Sequence, residues 1–329
     1  MKKIFLLLSS VVVFSFTGCN DDVSESQDNT GLDYRQEMRD FVKNISVYAK
    51  NIDNNFIIIP QNGQELITQT GEPNGELKTA YIDAIDATGI EDMFYGYNND
   101  DEKTPDEEMN YMLDLCKLFE QQGVEVLATD YCYTHDNMDD SYKLNNQNGF
   151  ISFAASERDL NVIPDYPAQP YNVNNNNITD ISQAKNFLYL INSENFNSKS
   201  DFINAVSNTD YDLIIMDLFH NEVAFTKDEI TALKTKHNGG KRLVVCYMSI
   251  GEAENYRYYW QHEWKLGSPE FIERENPEWE GNYKVKYWDK QWQAIIYGND
   301  NSYLKKITDA GFNGTYLDII DGYEYFENQ

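Results

Sequence analysis

Short, continuous apolar runs recur along this chain. Strands that are apolar throughout are buried on both faces, as in a parallel sheet, whereas half-exposed strands alternate apolar and polar residues. Residues 89–96 add a shorter candidate strand and bring the number to eight. The seven apolar runs are residues 56–59, 124–131, 150–155, 187–191, 213–218, 243–250 and 315–320.

Amphipathic stretches lie between these runs. Residues 38–48 and 109–119 carry apolar side chains at the i, i+3, i+4, i+7 spacing of a helix with one buried face. Shorter helical patterns lie at residues 202–206, 230–233 and 303–307. Alternation of strand and helix predicts a parallel α/β fold, and eight strands favour a closed (β/α)8 TIM barrel over an open doubly wound sheet.

Two nucleotide-binding motifs are absent from the sequence, and one segment is irregular. No GxGxxG or GxxxxGK[ST] pattern follows any of the runs, so nucleotide binding has no support from the sequence. Residues 164–177 contain three prolines and an asparagine run, which predicts a surface connection without a helix of its own.

The first residues have the layout of a bacterial lipoprotein signal. Two lysines precede an apolar run that is too short to span a bilayer, and Cys19 follows a small residue at the expected cleavage point. We expect residues 1–18 to be a signal peptide, Cys19 to be lipidated, and residues 19–32 to form a flexible acidic tether. The domain would then occupy residues 33–329. An ordinary cleaved signal with an incidental cysteine is the alternative.

These features predict an extracytoplasmic protein held at the outer membrane by its lipid anchor alone. Acidic residues directly after Cys19 resemble the export signal of bacterial surface lipoproteins, although a neutral spacer would look the same. The periplasmic leaflet and the cell surface therefore both stay open.

Charge and cysteine content narrow the range of ligands. The formal charge is −29, and removal of Lys2 and Lys3 with the signal would lower it by two more. Nucleic acid is therefore not an expected partner, whereas neutral or cationic ligands are allowed. Cys116, Cys132 and Cys246 show no close pairing, which favours buried free thiols over disulfides. The four histidines have no ligand-like spacing, and we expect neither a metal nor a cofactor.

Polar side chains end nearly every candidate strand. In a parallel barrel the carboxyl ends of the strands share one mouth, so these groups would converge there and raise the pKa of at least one carboxyl. Two carboxyls in different environments are what glycoside hydrolysis requires. For any one residue, a helix cap or a loop salt bridge is the alternative. The strand-end residues are Asn62, Glu91, Asp92, Asp130, Tyr131, Asn192, Asp217, Glu252, Asp318 and Asp321.

Aromatic residues cluster near the same strand ends. Their flat faces and polar edges suit sugar rings, although about half of them could equally serve as core. They are Tyr95, Tyr131, Tyr247, Tyr256, Tyr258, Tyr259, Trp260, Trp288 and Tyr323.

Three segments together resemble a known family. Residues 244–257 (VVCYMSIGEAENYR), 281–289 (GNYKVKYWD) and 311–321 (GFNGTYLDIID) are similar to the glycoside hydrolase family 114 superfamily, which includes endo-α-1,4-polygalactosaminidases. The resemblance implies a TIM barrel. In the usual family order the Leu-Asp-x-x-Asp strand precedes the Gln-Asn-Gly, Glu-Asp-x-x-Tyr and Asp-Tyr strands, whereas here it follows them. The chain therefore looks circularly permuted, with helix 36–49 packed next to residue 329.

The resemblance also assigns roles to residues. It implies a catalytic pair of Asp318, as nucleophile or electrostatic partner, and Glu91, as general acid/base, with the division between them left open. Two departures leave the substrate open: Asp318-Ile319 replaces an Asp-Asn pattern, and Met93-Phe94 stands where a cysteine is usual. The residues expected to line the sugar subsites are Asn62, Tyr95, Asp130, Asp217, Tyr247, Glu252, Arg257, Trp288 and Asp321.

The sequence thus favours an endo-acting hydrolase of an amino-sugar or related polysaccharide. A non-catalytic lipoprotein that captures glycans with the same barrel mouth is the alternative. An amide or ester hydrolase acting on cell-wall material is a third candidate, but no GxSxG motif or Cys–His pairing supports it.

Overall fold

The computed structural model of the chain describes residues 31–329, so the proposed signal peptide, Cys19 and most of the proposed tether lie outside the described residues. The described part is a mixed α/β fold with parallel sheets. Its helices are α1 (Tyr34–Ile52), α2 (Thr79–Ile82), α3 (Asp106–Gln121), α4 (His135–Asn148), α5 (Lys199–Ser207), α6 (Lys227–Leu233), α7 (Lys290–Ile296), α8 (Tyr303–Ala310) and α9 (Gly322–Glu327).

The strands follow the predicted apolar runs, with short additions. They are β1 (Ile57–Pro60), β2 (Ala87–Glu91), β3 (Glu125–Tyr131), β4 (Ile151–Ala155), β5 (Phe187–Leu190), β6 (Leu213–Met216), β7 (Phe219–His220), β8 (Val223–Ala224), β9 (Leu243–Ser249), β10 (Glu252–Glu254), β11 (Ile272–Glu275), β12 (Asn282–Val285) and β13 (Gly314–Asp318).

Two parallel sheets form the centre of the molecule. One has the order β1-β13-β9-β6-β5 and the other the order β2-β3-β4. The sheets meet beyond β1, where Gln61 pairs in parallel with Gly89 and the Asn62 amide donates to the Gly89 carbonyl at 2.9 Å. Strands β4 and β5 are also in contact. All eight parallel strands are buried apart from terminal residues, as their continuous apolar sequences predict.

Short antiparallel pieces cover the carboxyl ends of two strands. The β7–β8 hairpin follows β6 directly, and β10 follows β9 and joins β12 and β11 in a three-stranded antiparallel sheet. The connections after β6 and β9 therefore contain antiparallel strands of their own, and they lie at the carboxyl ends of the parallel strands.

Strand β2 and helix α4 differ from the sequence-based expectation. Strand β2 ends at Glu91, well short of residue 96, because Asp92 adopts a left-handed conformation (φ 58°) and turns the chain back. Helix α4 was not predicted because its buried face is partly polar: Ser141 and Asn145 stand with Met138 and Tyr142.

Helix α1 packs against the last helix of the chain. Asp33 caps its first turn by accepting from the Gln36 amide at 2.9 Å, and its apolar face is buried. Arg35 forms an ion pair with Glu327 at 2.9 Å, and the rings of Tyr34 and Phe326 lie 5.5 Å apart. Residues 34 and 327 are thus neighbours in space.

Residues 164–177 contain no helix, as predicted, yet this segment is firmly attached. The Lys236 ammonium donates to the Asn174 carbonyl and to Asp212, both at 2.8 Å, and the Lys236–Asp212 pair is fully buried. Tyr171 stacks on Tyr142 of α4 with ring centroids 4.9 Å apart. The connection is therefore a packed part of the domain.

Cys116, Cys132 and Cys246 are buried free thiols, as predicted. Between residues 31 and 329, no helix combines the length and apolarity needed to cross a bilayer.

Candidate active site

A cavity of about 970 Å³ opens at the carboxyl ends of the parallel strands. Strands β2, β3, β5, β9 and β13 and the antiparallel additions all contribute to its wall, together with Asp217, which follows β6. Twelve of its lining residues belong to the strand-end, aromatic and subsite sets proposed from the sequence: Asn62, Glu91, Tyr131, Asn192, Asp217, Tyr247, Glu252, Tyr256, Arg257, Tyr258, Asp318 and Asp321.

Asp318 closes strand β13 and faces the cavity. The Tyr247 hydroxyl donates to its Oδ2 at 2.5 Å, and burial together with the negative charge of Glu91 raises its pKa to about 8. A carboxyl with this pKa holds a proton at neutral pH, when an ordinary aspartate does not.

Glu91 closes strand β2 and faces the same cavity. The Tyr131 hydroxyl donates to its Oε1, and the Asn62 side-chain amide donates to its Oε2 at 3.3 Å. Asn62 also accepts from the Glu91 backbone amide at 3.2 Å, which fixes the strand end from both sides. The carboxylate is therefore held by two donors and keeps one edge for a ligand.

The two acids flank the end of β1. Since neighbouring strands lie about 4.8 Å apart, their backbones are roughly 10 Å apart, and both side chains point inward. Tyr316, two residues before Asp318 and on the same face of β13, experiences the charges of both acids. Gly89 leaves the room for this arrangement, because a Cβ there would collide with the Tyr316 hydroxyl.

Strained backbone marks the strand ends that carry these acids. Asn62 (φ 63°), Asp92 (φ 58°) and Ile319 (φ 59°) all adopt the left-handed region, which is costly above all for a β-branched residue such as Ile319. Such strain tends to concentrate at functional sites, where the surrounding structure enforces it.

A second pair of acids extends the wall beyond Asp318. Burial, together with the negative charge of Glu324, raises the pKa of Asp321 to about 7. Glu252 is almost fully buried, and its Oε1 accepts from Asn276 at 2.9 Å and from Lys284 at 3.4 Å. Its Oε2 has no hydrogen-bond partner.

Arg257 joins two buried acids on another side of the cavity. It lies 2.6 Å from Asp217 and 2.6 Å from Glu254. Burial raises the pKa of Asp217, and the Arg257 charge opposes that rise. One guanidinium thus holds two carboxylates, and the group carries a net negative charge.

Arg158 and Glu254 were not singled out from the sequence, although both line the cavity. Arg158 lies over the Tyr131 ring at 3.8 Å and pairs with Asp92 at 2.9 Å and with Asp100 at 2.7 Å. It stands three residues after β4, the strand for which no polar end residue was proposed. The strand-end position was the signal that could have found it.

Three of the proposed subsite residues lie away from the cavity. Asp130 is buried and accepts from Ser141 at 2.6 Å, from Asn145 at 2.9 Å and from two backbone amides, because its side chain faces α4. Tyr95 is buried by the folded-back loop after β2, and its hydroxyl donates to Asp140 at 2.8 Å. Trp288 packs on Phe326, with ring centroids 4.7 Å apart, in the interface of α1 and α9.

The aromatic residues divide in a similar way. Of those proposed from the sequence, Tyr131, Tyr247, Tyr256 and Tyr258 line the cavity, and the others pack elsewhere. Trp279, which was not proposed, also lines it and is 52% exposed. Among residues 31–329, no group of three or more His, Cys, Asp and Glu side chains is arranged to hold a metal ion.

This arrangement of a strand-end acid pair in an acidic cavity is one that a glycosidase can use. Residues 167–329 match the family model described as Glycoside-hydrolase family GH114. This segment, just under half of the chain, is therefore similar to glycoside hydrolase family 114.

Three curated proteins, all uncharacterized, are similar to parts of the chain. One from Methanocaldococcus jannaschii is 40% identical over 159 residues, which cover 46% of this chain and 42% of the relative. One from Deinococcus radiodurans is 35% identical over 127 residues, 39% of each chain. One from Thermotoga maritima is 46% identical over 85 residues, 26% of this chain and 25% of the relative. The chain therefore spans less than half the length of each of these relatives.

Proposed function

We propose that this chain is an endo-acting glycoside hydrolase that cleaves an amino-sugar-containing, polygalactosamine-like polysaccharide. The observation that carries the proposal is that Asp318 and Glu91, on strand ends that flank β1, line one cavity, in which burial and then the negative charge of Glu91 raise the pKa of Asp318 to about 8. Glycoside hydrolysis needs such a pair, with one carboxyl protonated and one ionised.

The two carboxyls share one proton at neutral pH in this proposal. The protonated member donates to the glycosidic oxygen as the bond to C1 breaks, and the ionised member attacks C1 or activates a water molecule. Tyr247 holds Asp318 and Tyr131 holds Glu91, so each acid keeps a fixed orientation through the reaction. Asp318 serves as nucleophile or electrostatic partner and Glu91 as general acid/base.

A bound ammonium group would adjust the distribution of that proton. In the empty cavity the raised pKa of Asp318 keeps the proton there. A cationic sugar next to Asp318 would lower its pKa and favour the ionised form that a nucleophile or electrostatic partner needs. Substrate binding would then prepare the pair for the roles assigned to it.

The charge of the cavity supports a cationic substrate. Its wall includes nine carboxyl side chains and two arginines, Arg158 and Arg257, and each arginine is already paired with two acids. An excess of negative charge in a confined, partly desolvated site attracts amino sugars and repels uronic acids.

We also propose that the two parallel sheets close into a single (β/α)8 barrel over residues 33–329, in circularly permuted order. The Gln61–Gly89 bridge at one junction and the contact of β4 with β5 at the other support closure. The family match is confined to residues 167–329, although the strands of residues 57–155 contribute Glu91 to the same cavity, and this supports permutation.

Residues 1–18 as a signal peptide, Cys19 as a lipidation site and an extracytoplasmic location at the outer membrane remain part of the proposal. They rest on the sequence pattern of the first residues alone. A polymeric, cationic substrate suits an enzyme outside the cytoplasm. Incorporation of labelled palmitate into the wild type, and its loss in Cys19→Ala, would test the anchor.

The function is tested by screening for new reducing ends. The substrates are α-1,4-linked polygalactosamine, its N-acetylated form, chitosan and polygalacturonate. We expect cleavage of the amino-sugar polymers, a fall of about 10³-fold or more in Glu91→Gln and Asp318→Asn, and no change in Asp309→Asn, an exposed acid outside the cavity.

Two results would contradict the assignment. Wild-type turnover in both cavity variants would exclude the proposed pair. Tight binding of a polymer without any new reducing ends would favour the glycan-capturing alternative.

A further inference from the structure

Exposed aromatic rings are concentrated at the cavity. In the described part of the chain, five aromatic side chains are strongly exposed: Tyr97, Tyr133, Tyr256, Tyr258 and Trp279. Three of them, Tyr256, Tyr258 and Trp279, line the cavity. Single exposed apolar residues are common on protein surfaces, but a group of rings at one polar cavity indicates a binding role.

Trp279 stands on a turn whose shape is fixed. The turn, residues 276–281, joins β11 to β12. The Asn282 amide donates to the Trp279 carbonyl at 3.1 Å, and the Gly281 amide donates to Glu275 Oε1 at 3.2 Å. The Asn255 amide donates to the Gly281 carbonyl at 2.8 Å, which ties the turn to the segment that carries Tyr256.

Tyr256 is held from its polar end. Its hydroxyl donates to Glu254 Oε1 at 2.7 Å, and the Arg257 guanidinium lies 5.4 Å from its ring centroid. The ring nevertheless stays 55% exposed. Because the Tyr256 ring and the backbone of the Trp279 turn are fixed before a ligand arrives, little entropy would be lost in ordering them when one binds.

A buried acceptor lies in the same antiparallel sheet. Glu252, on β10, is 1% exposed and lines the cavity. Asn276, at the start of the Trp279 turn, and Lys284 hold its Oε1, while Oε2 has no partner. A buried carboxylate oxygen without a partner is costly, and a ligand hydroxyl or ammonium would satisfy it.

We infer that Trp279 and Tyr256, with Glu252 as acceptor, form a sugar subsite that takes one pyranose ring of the polymer next to the ring that is cleaved. The nature of this ligand rests on the proposed function. The aromatic faces would contact the C–H groups of the ring, and Glu252 Oε2 would accept from its hydroxyl or ammonium group. The subsite comes from the β10–β12–β11 sheet, whereas the catalytic pair comes from β2 and β13, so binding and chemistry are separable.

The test measures binding in a Glu91→Gln background, in which the polymer is not consumed. The ligands are the four polysaccharides of the reducing-end screen. Affinity gel electrophoresis measures the binding of each one. We expect Trp279→Ala and Tyr256→Ala to weaken binding of the recognised polymer on the order of tenfold. Trp279→Phe keeps most of the affinity, and Tyr133→Ala, which removes an exposed ring outside the cavity, changes nothing.

A kinetic measurement on enzyme that retains Glu91 distinguishes the role of the subsite from that of the catalytic pair. In Trp279→Ala, KM for the long polymer should rise while kcat for the shortest cleaved oligosaccharide stays within about twofold. Melting temperatures of all variants are compared with the wild type, and since Trp279 is 52% exposed we expect no loss of folding.

Each outcome bears on one proposal or on both. Unchanged binding in Trp279→Ala and Tyr256→Ala, with turnover lost in Glu91→Gln, overturns the subsite and leaves the hydrolase. Weakened binding with no reducing ends from the wild type supports the subsite and overturns hydrolysis. Failure of the Glu91→Gln chain and the wild type to bind any of the four polymers overturns both.

Discussion

Asp130 and Tyr131 are consecutive residues of β3 that act on opposite faces of the strand. Side chains alternate along a strand, so only one of the two can face the cavity. Tyr131 does, and its hydroxyl donates to Glu91. Asp130 faces α4 and accepts from the backbone amides of Phe94 at 2.8 Å and Tyr95 at 3.2 Å. The segment that begins at Glu91 is thereby fixed from both faces of the neighbouring strand.

Tyr131→Phe should lower activity more than stability. The change removes the hydroxyl that orients Glu91 but keeps the ring under Arg158. We expect kcat to fall about tenfold or more, while the free energy of unfolding changes by about 1 kcal/mol or less. Steady-state kinetics and urea unfolding measure the two effects. Equal activity of the variant and the wild type would show that the Tyr131 contact has no catalytic importance.

Asp130→Ala should lower stability more than activity. It leaves Ser141, Asn145 and two backbone amides without their acceptor in a buried region, which we expect to lower the free energy of unfolding by about 3 kcal/mol or more. Chemical denaturation gives this value. Asp309→Asn is the control. If Asp130→Ala lowers the free energy of unfolding by less than about 1 kcal/mol, the structural role of Asp130 is contradicted.

Asp318→Asn should stabilise the protein, increasingly so at higher pH. The folded pKa of about 8 lies above the ordinary value of 3.8, so the folded state binds this proton more tightly than the unfolded chain does. Stability is then lost as pH rises between these two values, and the asparagine variant avoids that loss. We expect its melting temperature to exceed that of the wild type by about 2 °C or more at pH 8.5 and by less at pH 5. A constant difference across this range would argue against the raised pKa.

The Asp318 carboxyl should also set the alkaline limit of activity. Above a pH of about 8 the acid pair loses its shared proton, and no acid then remains to protonate the leaving oxygen. We expect kcat/KM to fall about tenfold per pH unit on the alkaline side. An N-acetylated polymer, if it is cleaved, is the preferred substrate for this profile, because it has no amine that titrates in the same range. Full activity at pH 10 would exclude Asp318 as the group responsible.

Salt should weaken the action on a cationic polymer. The acidic wall attracts ammonium groups through a field that added ions screen. We expect kcat/KM on polygalactosamine to fall several-fold between about 50 and 500 mM NaCl, with little change for the N-acetylated polymer. Similar salt responses for the two polymers would mean that charge attraction does not guide binding.

The parallel strands could be predicted because a strand that is buried on both faces is a continuous apolar run. Such a run is recognised by its short length and by the lack of apolar–polar alternation. The end of β2 could not, since residues 89–96 look continuous and only the left-handed Asp92 interrupts them. Helix α4 escaped prediction for a related reason: its buried Ser141 and Asn145 serve the carboxylate of Asp130, a contact that no local pattern shows.

The candidate site was accessible to the same reasoning only in part. Strand-end acids such as Asp318, Glu91 and Asp217 do meet at one cavity, because parallel strands share an edge. Which face each side chain occupies depends on where the strand ends and the loop turns, and this is why Asp130 and Tyr95 lie elsewhere. Trp279 belongs to an antiparallel addition with no place in a simple strand–helix alternation, so nothing in the sequence pattern directed attention to it.

The firm attachment of residues 164–177 has a consequence for how the chain would meet a protease. A long connection without helix or strand is normally where cleavage begins. Here a fully buried Lys236–Asp212 pair holds the Asn174 end, and the Tyr171 ring rests on Tyr142. A bound protease would have to pull about ten residues away from these anchors, so the two halves of the chain on either side of the connection should survive digestion as one uncut piece.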